Sequence, residues 1–129
     1  MTRFDAATPE DRRALIADAV RAHRERESPF CTVTADLDHA DDLGVPWVQF
    51  GDGVVNLDVV DAELERLTTL LDARGGVTIT ERTSPEDVDG TNVRIEVHGD
   101  ADRVAGLIED CFREVYELPD DVRVWATEI

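Results

Sequence analysis

A chain of 129 residues carrying 30 acidic and 13 basic side chains, a formal charge of -17, reads as one domain under an acidic skin. Its basic side chains are all arginine, and the acidic excess is opposite to the electrostatic footprint of a nucleic-acid-binding protein. No apolar run approaches the roughly 18 residues of a membrane-spanning helix, while Val, Leu, Ile and Phe together exceed the roughly 20% below which highly charged chains stay disordered.

The first helix is announced by Thr8-Pro9-Glu10-Asp11: a hydroxyl cap, proline at the first helical position, then acids in the first turn. Leu15, Ile16, Ala19, Val20 and His23 follow at helical spacing, and Ser28-Pro29 stops the run. Residues 30–35 read as a short strand, 36–44 as an acid-rich connector and 46–50 as a strand. Gly51-Asp52-Gly53 is a tight turn, from which 54–59 returns as a further strand. A helix over 60–74 carries a stripe of Leu64, Leu67 and Leu71, and Gly75-Gly76 ends it. Strands follow at 77–82 and 91–98 around a Pro- and Gly-bearing loop. Asp100 then caps the best-formed helix, with Val104, Leu107, Ile108, Cys111, Phe112 and Val115 on one broad face. Leu118-Pro119 closes it, and 122–129 is a final strand.

From residue 54 onward the order is strand, helix, strand, strand, helix, strand, the split βαβ of ferredoxin-like α+β domains. The predicted fold is therefore an antiparallel βαββαβ sheet with two helices on one face. A single domain spans 1–129: residues 1–45 supply an N-terminal helix and the acidic connector, and 46–129 the core with an extra strand or hairpin. Alternation turns Val55, Leu57, Val77, Ile79, Val93, Ile95, Val97, Val122 and Val124 toward the helices. The opposite parity puts Asn56, Thr78, Thr80, Arg82, Arg94, Glu96, His98, Arg123, Trp125 and Thr127 on an open face. A tryptophan among arginines there wants a cover: the N-terminal helix, a second copy or a ligand. Trp47 and Phe50 extend the same surface.

The candidate ligand or interface group is thus Arg82, Arg94, Glu96, His98, Arg123 and Trp125. Sheets of this topology bind RNA through two or three central aromatics, and this face offers one, on a terminal strand. Cys31, Asp36, Asp38, His39, Asp41 and Asp42 hold metal-ligand chemistry in a spacing that matches no metal motif, so no metal or other cofactor is assigned. Cys111 sits inside an apolar stripe and reads as a buried hydrophobe, and His98 beside Glu96 and Asp100 is the one imidazole placed for general-base work. No nucleophile, phosphate-binding or dinucleotide motif is present, so no catalytic residue is assigned and the chain reads as non-enzymatic. The leading expectation is a self-associating interaction or regulatory module, a homodimer, with another protein or a metabolite as the further partner. The alternative is a small-molecule sensor that binds a metabolite at the sheet face or dimer interface.

The lysine-free acidic composition resembles that of haloarchaeal proteins, which work where the Debye length is about 3 Å. The segments GDGVVNLDV, at Gly51 to Val59, and CFREVYELPDDVRVWATEI, from Cys111 onward, resemble a small haloarchaeal family of unknown function. That resemblance implies a source and brings no activity or site residues. With no signal-type apolar stretch near the start and no CxxC pair, the expected location is the cytoplasm with free thiols.

Overall fold

The computed structural model describes residues 5–26, 31–36, 46–51, 53–74, 77–84 and 90–128. Among the described residues seven strands form one open sheet: β1 (Asp5–Ala6), β2 (Cys31–Asp36), β3 (Trp47–Gly51), β4 (Val54–Val59), β5 (Val77–Thr83), β6 (Thr91–Val97) and β7 (Arg123–Glu128). Three helices accompany them: α1 (Pro9–Arg26), α2 (Asp61–Arg74) and α3 (Ala101–Asp110), the last running on into a π-helical turn at Cys111–Val115. The protein is α+β.

The strand order is β1-β7-β2-β3-β4-β6-β5, antiparallel throughout. This corrects the expected four-strand core. There the final strand would lie against β4; instead the β2–β3 hairpin is inserted between β7 and β4. The physical reason is in the inserted strands. Cys31, Val33 and Ala35 of β2 and Val48 and Phe50 of β3 are all buried, so these strands belong inside the sheet and not at its margin.

The wider sheet requires a wider roof. Six gaps of about 4.8 Å span roughly 29 Å, which calls for three helices at about 8–10 Å spacing rather than two. The third is α1, which packs beside α3 and over β1, β2 and β7, while α2 lies over β4 and β5. Ile16, Ala17 and Val20 of α1 join the same core as Leu67, Leu71, Leu107, Ile108 and Phe112. The expected inward residues Val55, Leu57, Val93, Ile95, Val97 and Val124 are buried there too. Among the described residues no helix is long and apolar enough to cross a membrane.

Local chemistry fixes the helix ends. The Thr8 hydroxyl accepts the amide of Asp11 at 3.1 Å, and the Asp100 carboxylate accepts that of Arg103 at 2.9 Å. Glu63 reaches back to accept the amide of Val60 at 2.9 Å, which closes the first turn of α2. The stop at Ser28-Pro29 and the Gly75-Gly76 pair lie outside the described residues.

Beyond Asp110 the ladder widens: the amide of Tyr116 donates to the Cys111 carbonyl at 3.1 Å, a five-residue step. The widened turn leaves carbonyls that arginines collect. Arg66 donates to Val115 at 2.9 Å and Arg113 to Leu118 at 2.8 Å. Glu117, at φ 53°, then turns the chain in the left-handed region.

The deepest polar feature was not foreseen from the sequence. Arg12 and Glu109 are 0% and 1% exposed and meet in a two-pronged ion pair, Nε to Oε1 at 2.8 Å and Nη2 to Oε2 at 2.9 Å. Arg12 Nη1 also donates to the carbonyls of Asp120 at 2.7 Å and Val122 at 2.9 Å. One side chain thus ties α1 to α3 and to the approach to β7. The sequence did hold a signal: both residues fall at helical spacing within otherwise apolar stripes.

Candidate interaction surface

All three helices lie on one face of the sheet, so α1 is not the cover of the other. On that other face the registers lay out two rows. Asp5, Trp125, Thr34 and Trp47 sit side by side across β1, β7, β2 and β3. Thr32, Gln49, Asn56, Arg94 and Glu81 form the next row across β2, β3, β4, β6 and β5. Trp125 is 43% exposed, and among the described residues it is the one large hydrophobic side chain left so open. Trp47, half-buried, stands two strands away with only Thr34 between them.

Many polar side chains of this face pair with one another, while the buried Thr32 hydroxyl has no partner among the described residues. The Asn92 amide donates to Asn56 at 2.7 Å and to Asp58 at 2.8 Å, and the Asn56 amide donates to Gln49 at 3.4 Å. Arg94 lies 3.9 Å from Glu81, Arg123 pairs with Asp5, and His98 Nε2 is 2.6 Å from Glu96. Each arginine here therefore has its own carboxylate. Among the described residues Arg94 and Arg123 stand against Asp5, Asp58, Glu81 and Glu96, so the face remains acidic but carries its few cations beside its acids.

Of the expected group, Arg94, Glu96, Arg123 and Trp125 are on this face, and His98 follows just beyond β6, exposed. Arg82 is not. A bulge between Ile79 and Glu81 takes up Thr80 as an extra residue, after which Glu81 opposes Arg94 and Arg82 opposes the buried Val93. The parity is reversed, and Arg82 points to the helix side. Phe50 is also turned inward, 2% exposed, with the His23 ring edge-on at 5.5 Å and the Arg24 guanidinium 5.6 Å from its centre. Thr32, Thr34 and Gln49 were missed because the position of their strands inside the sheet is set by distant pairing.

Asp38, His39, Asp41 and Asp42 lie outside the described residues, as does the side chain of Asp36. Among the described residues no three His, Cys, Asp or Glu side chains gather as a cation site. Cys31 and Cys111 are both buried and are not joined by a disulfide. Burial, then the neighbouring Asp110 carboxylate, push the Cys111 thiol from 9.0 up to about 12, against the opposing pull of Arg74. Burial, followed by Cys111, also raises the Tyr116 phenol, whose hydroxyl donates to the Asp58 carbonyl at 2.5 Å.

The folded state keeps the Cys111 proton where the unfolded thiol releases it, so stability falls as pH rises from about 9 toward about 12. Melting temperature against pH should show that alkaline loss in the wild type and a shallower one in Cys111→Ala. Equal slopes would show that the thiol is not the group responsible.

No curated protein and no solved structure matches the chain. A match to a protein family covers residues 1–129 in full, and the chain therefore belongs to the family of unknown function DUF7975.

Proposed function

We propose that this protein is a non-enzymatic interaction module that self-associates through the open face of its sheet. The observation that carries the reading is Trp125, exposed in one cross-strand row with Trp47 on the open face of the sheet. Tryptophan is a side chain that interface cores concentrate, while charged side chains are depleted there. Two copies each bearing -17 repel one another over most of their surfaces. On the open face Arg94 and Arg123 offset Glu81 and Asp5, which lowers that repulsion locally.

The dimensions agree with such a role. A sheet roughly 29 Å wide with strands of about 20 Å offers a flat footprint near 600 Å². Stable interfaces bury roughly 600–1,000 Å² per partner. A second copy related by a two-fold axis would place each Trp125 against the partner face, an isologous arrangement.

Mass in solution by light scattering tests this. The wild type is expected to be a dimer in molar KCl and to dissociate progressively as salt is withdrawn, because screening of the two acidic skins is lost. Trp125→Ala should weaken dimerisation by about 30-fold or more, the effect of removing a central aromatic anchor. A wild-type monomer at millimolar protein in molar KCl would defeat the proposal, and so would a dimer that Trp125→Ala leaves intact.

A further inference from the structure

The bulge that turns Arg82 away from the open face delivers it into a groove. Where α2 runs beside β5 there is an open depression of about 540 Å³, lined by Asp61, Leu64, Glu65, Thr68, Thr69 and Arg82. The five helical residues recur at spacings of three and four, so one face of α2 forms one wall. Arg82, from the edge strand β5, forms the other.

The groove sets a guanidinium opposite two carboxylates. Arg12, Arg66, Arg74 and Arg113 each hold a carboxylate. Arg82 makes no hydrogen bond or ion pair among the described residues, although Asp61 and Glu65 line the same groove. The Thr68 and Thr69 hydroxyls donate back to the carbonyls of Leu64 at 2.9 Å and Glu65 at 3.0 Å. Their oxygens keep lone pairs that can accept from a donor in the groove. Leu64 adds the apolar contact and packs at the margin of the core.

This lining selects against simple ions. A lone anion meets two carboxylates, and a lone cation meets a guanidinium. A molecule carrying both charges a few ångströms apart answers both walls, and the volume lies within the roughly 300–1,000 Å³ range of small-molecule sites. We propose that the groove binds a free α-amino acid with an apolar side chain. Its carboxylate pairs with Arg82, its ammonium group with Glu65 and Asp61, and its side chain rests on Leu64. Guanidinium suits the first contact because it presents a planar fork to a carboxylate. This site is remote in role from the association face and does not depend on it.

The experiment is thermal melting of the full chain with each standard amino acid in turn, since a ligand that binds only the native state raises the melting temperature. The best binder is then compared with its amide, which lacks the carboxylate, and its N-acetyl derivative, which lacks the ammonium. Only the intact zwitterion should bind well. Arg82→Gln and Glu65→Gln, both at exposed positions, should each weaken it about ten-fold or more, the effect of losing a charged hydrogen bond. Trp125→Ala should leave that affinity unchanged, which separates this result from the fate of the association reading. The proposal is overturned if no amino acid shifts the melt at tens of millimolar, if amide or acetyl forms bind as well as the zwitterion, or if Arg82→Gln binds undiminished.

Discussion

Glu109→Ala should cost about 3–5 kcal/mol of stability, the usual consequence of stripping one partner from a buried ion pair. Arg12 is wholly enclosed, and the substitution removes the acceptors of its Nε and Nη2 while leaving the charge in place. The carbonyls of Asp120 and Val122 would still hold Nη1, so the guanidinium is trapped rather than released to water. A domain of this size has roughly 5–15 kcal/mol in total, so the variant should unfold at markedly lower urea concentration. The double variant Arg12→Met, Glu109→Leu provides the contrast. It removes both charges and should recover most of the loss, because apolar replacement of a buried pair is often neutral or better. If the single variant loses less than about 1 kcal/mol, the pair is hydrated in solution and the tie between α1 and α3 is made by their apolar contacts alone.

Phe112→Ala should be nearly as damaging, at about 3–5 kcal/mol. The ring is 0% exposed at the second position of the π-helical turn, and the Tyr116 ring lies 6.3 Å away. The Phe112 carbonyl also accepts the amide of Leu118 at 3.1 Å, so backbone and side chain anchor the widened turn together. Truncation leaves a cavity beneath a segment that has little freedom to collapse into it. Phe112→Leu fills most of that space and should cost clearly less. Chemical denaturation distinguishes the two. Equal losses would show that ring shape, not volume, is what the turn requires, and a loss below about 1 kcal/mol for alanine would show that the turn closes over the gap.

Much of the architecture was legible because it is local. Thr8-Pro9 and Asp100 mark their helix starts through side chains within reach of the first amides. The alternation at Val55 and Leu57, and again at Val93, Ile95 and Val97, marks buried strand faces without reference to their neighbours. What escaped is set by contacts far apart in sequence. Nothing within residues 31–51 tells that β2 will lie against β7, since alternation gives a strand its faces but not its partners. A single extra residue at Thr80 exchanged the sides of Glu81 and Arg82, and with them the composition of both the open face and the groove. The open face itself was readable from parity, but its second tryptophan became part of one row with Trp125 only through the inserted hairpin.

The place of β7 has a consequence for how the molecule is made. It lies between β1 and β2, and its Arg123 meets Asp5 across 118 residues of sequence. The β3–β4–β6–β5 side, with α2 and α3, draws on residues 47–115 and is joined by short connections, so it can assemble as it is synthesised. The β1–β2 side cannot. Until residues 123–128 exist, β2 has an unpaired flank and part of the surface beneath α1 is missing. Closing contacts of such long range is slow. A nascent chain therefore spends an interval with Ile16, Val20 and the flank of β2 uncovered, and the unpaired flank of β2 is then an edge onto which another strand could add.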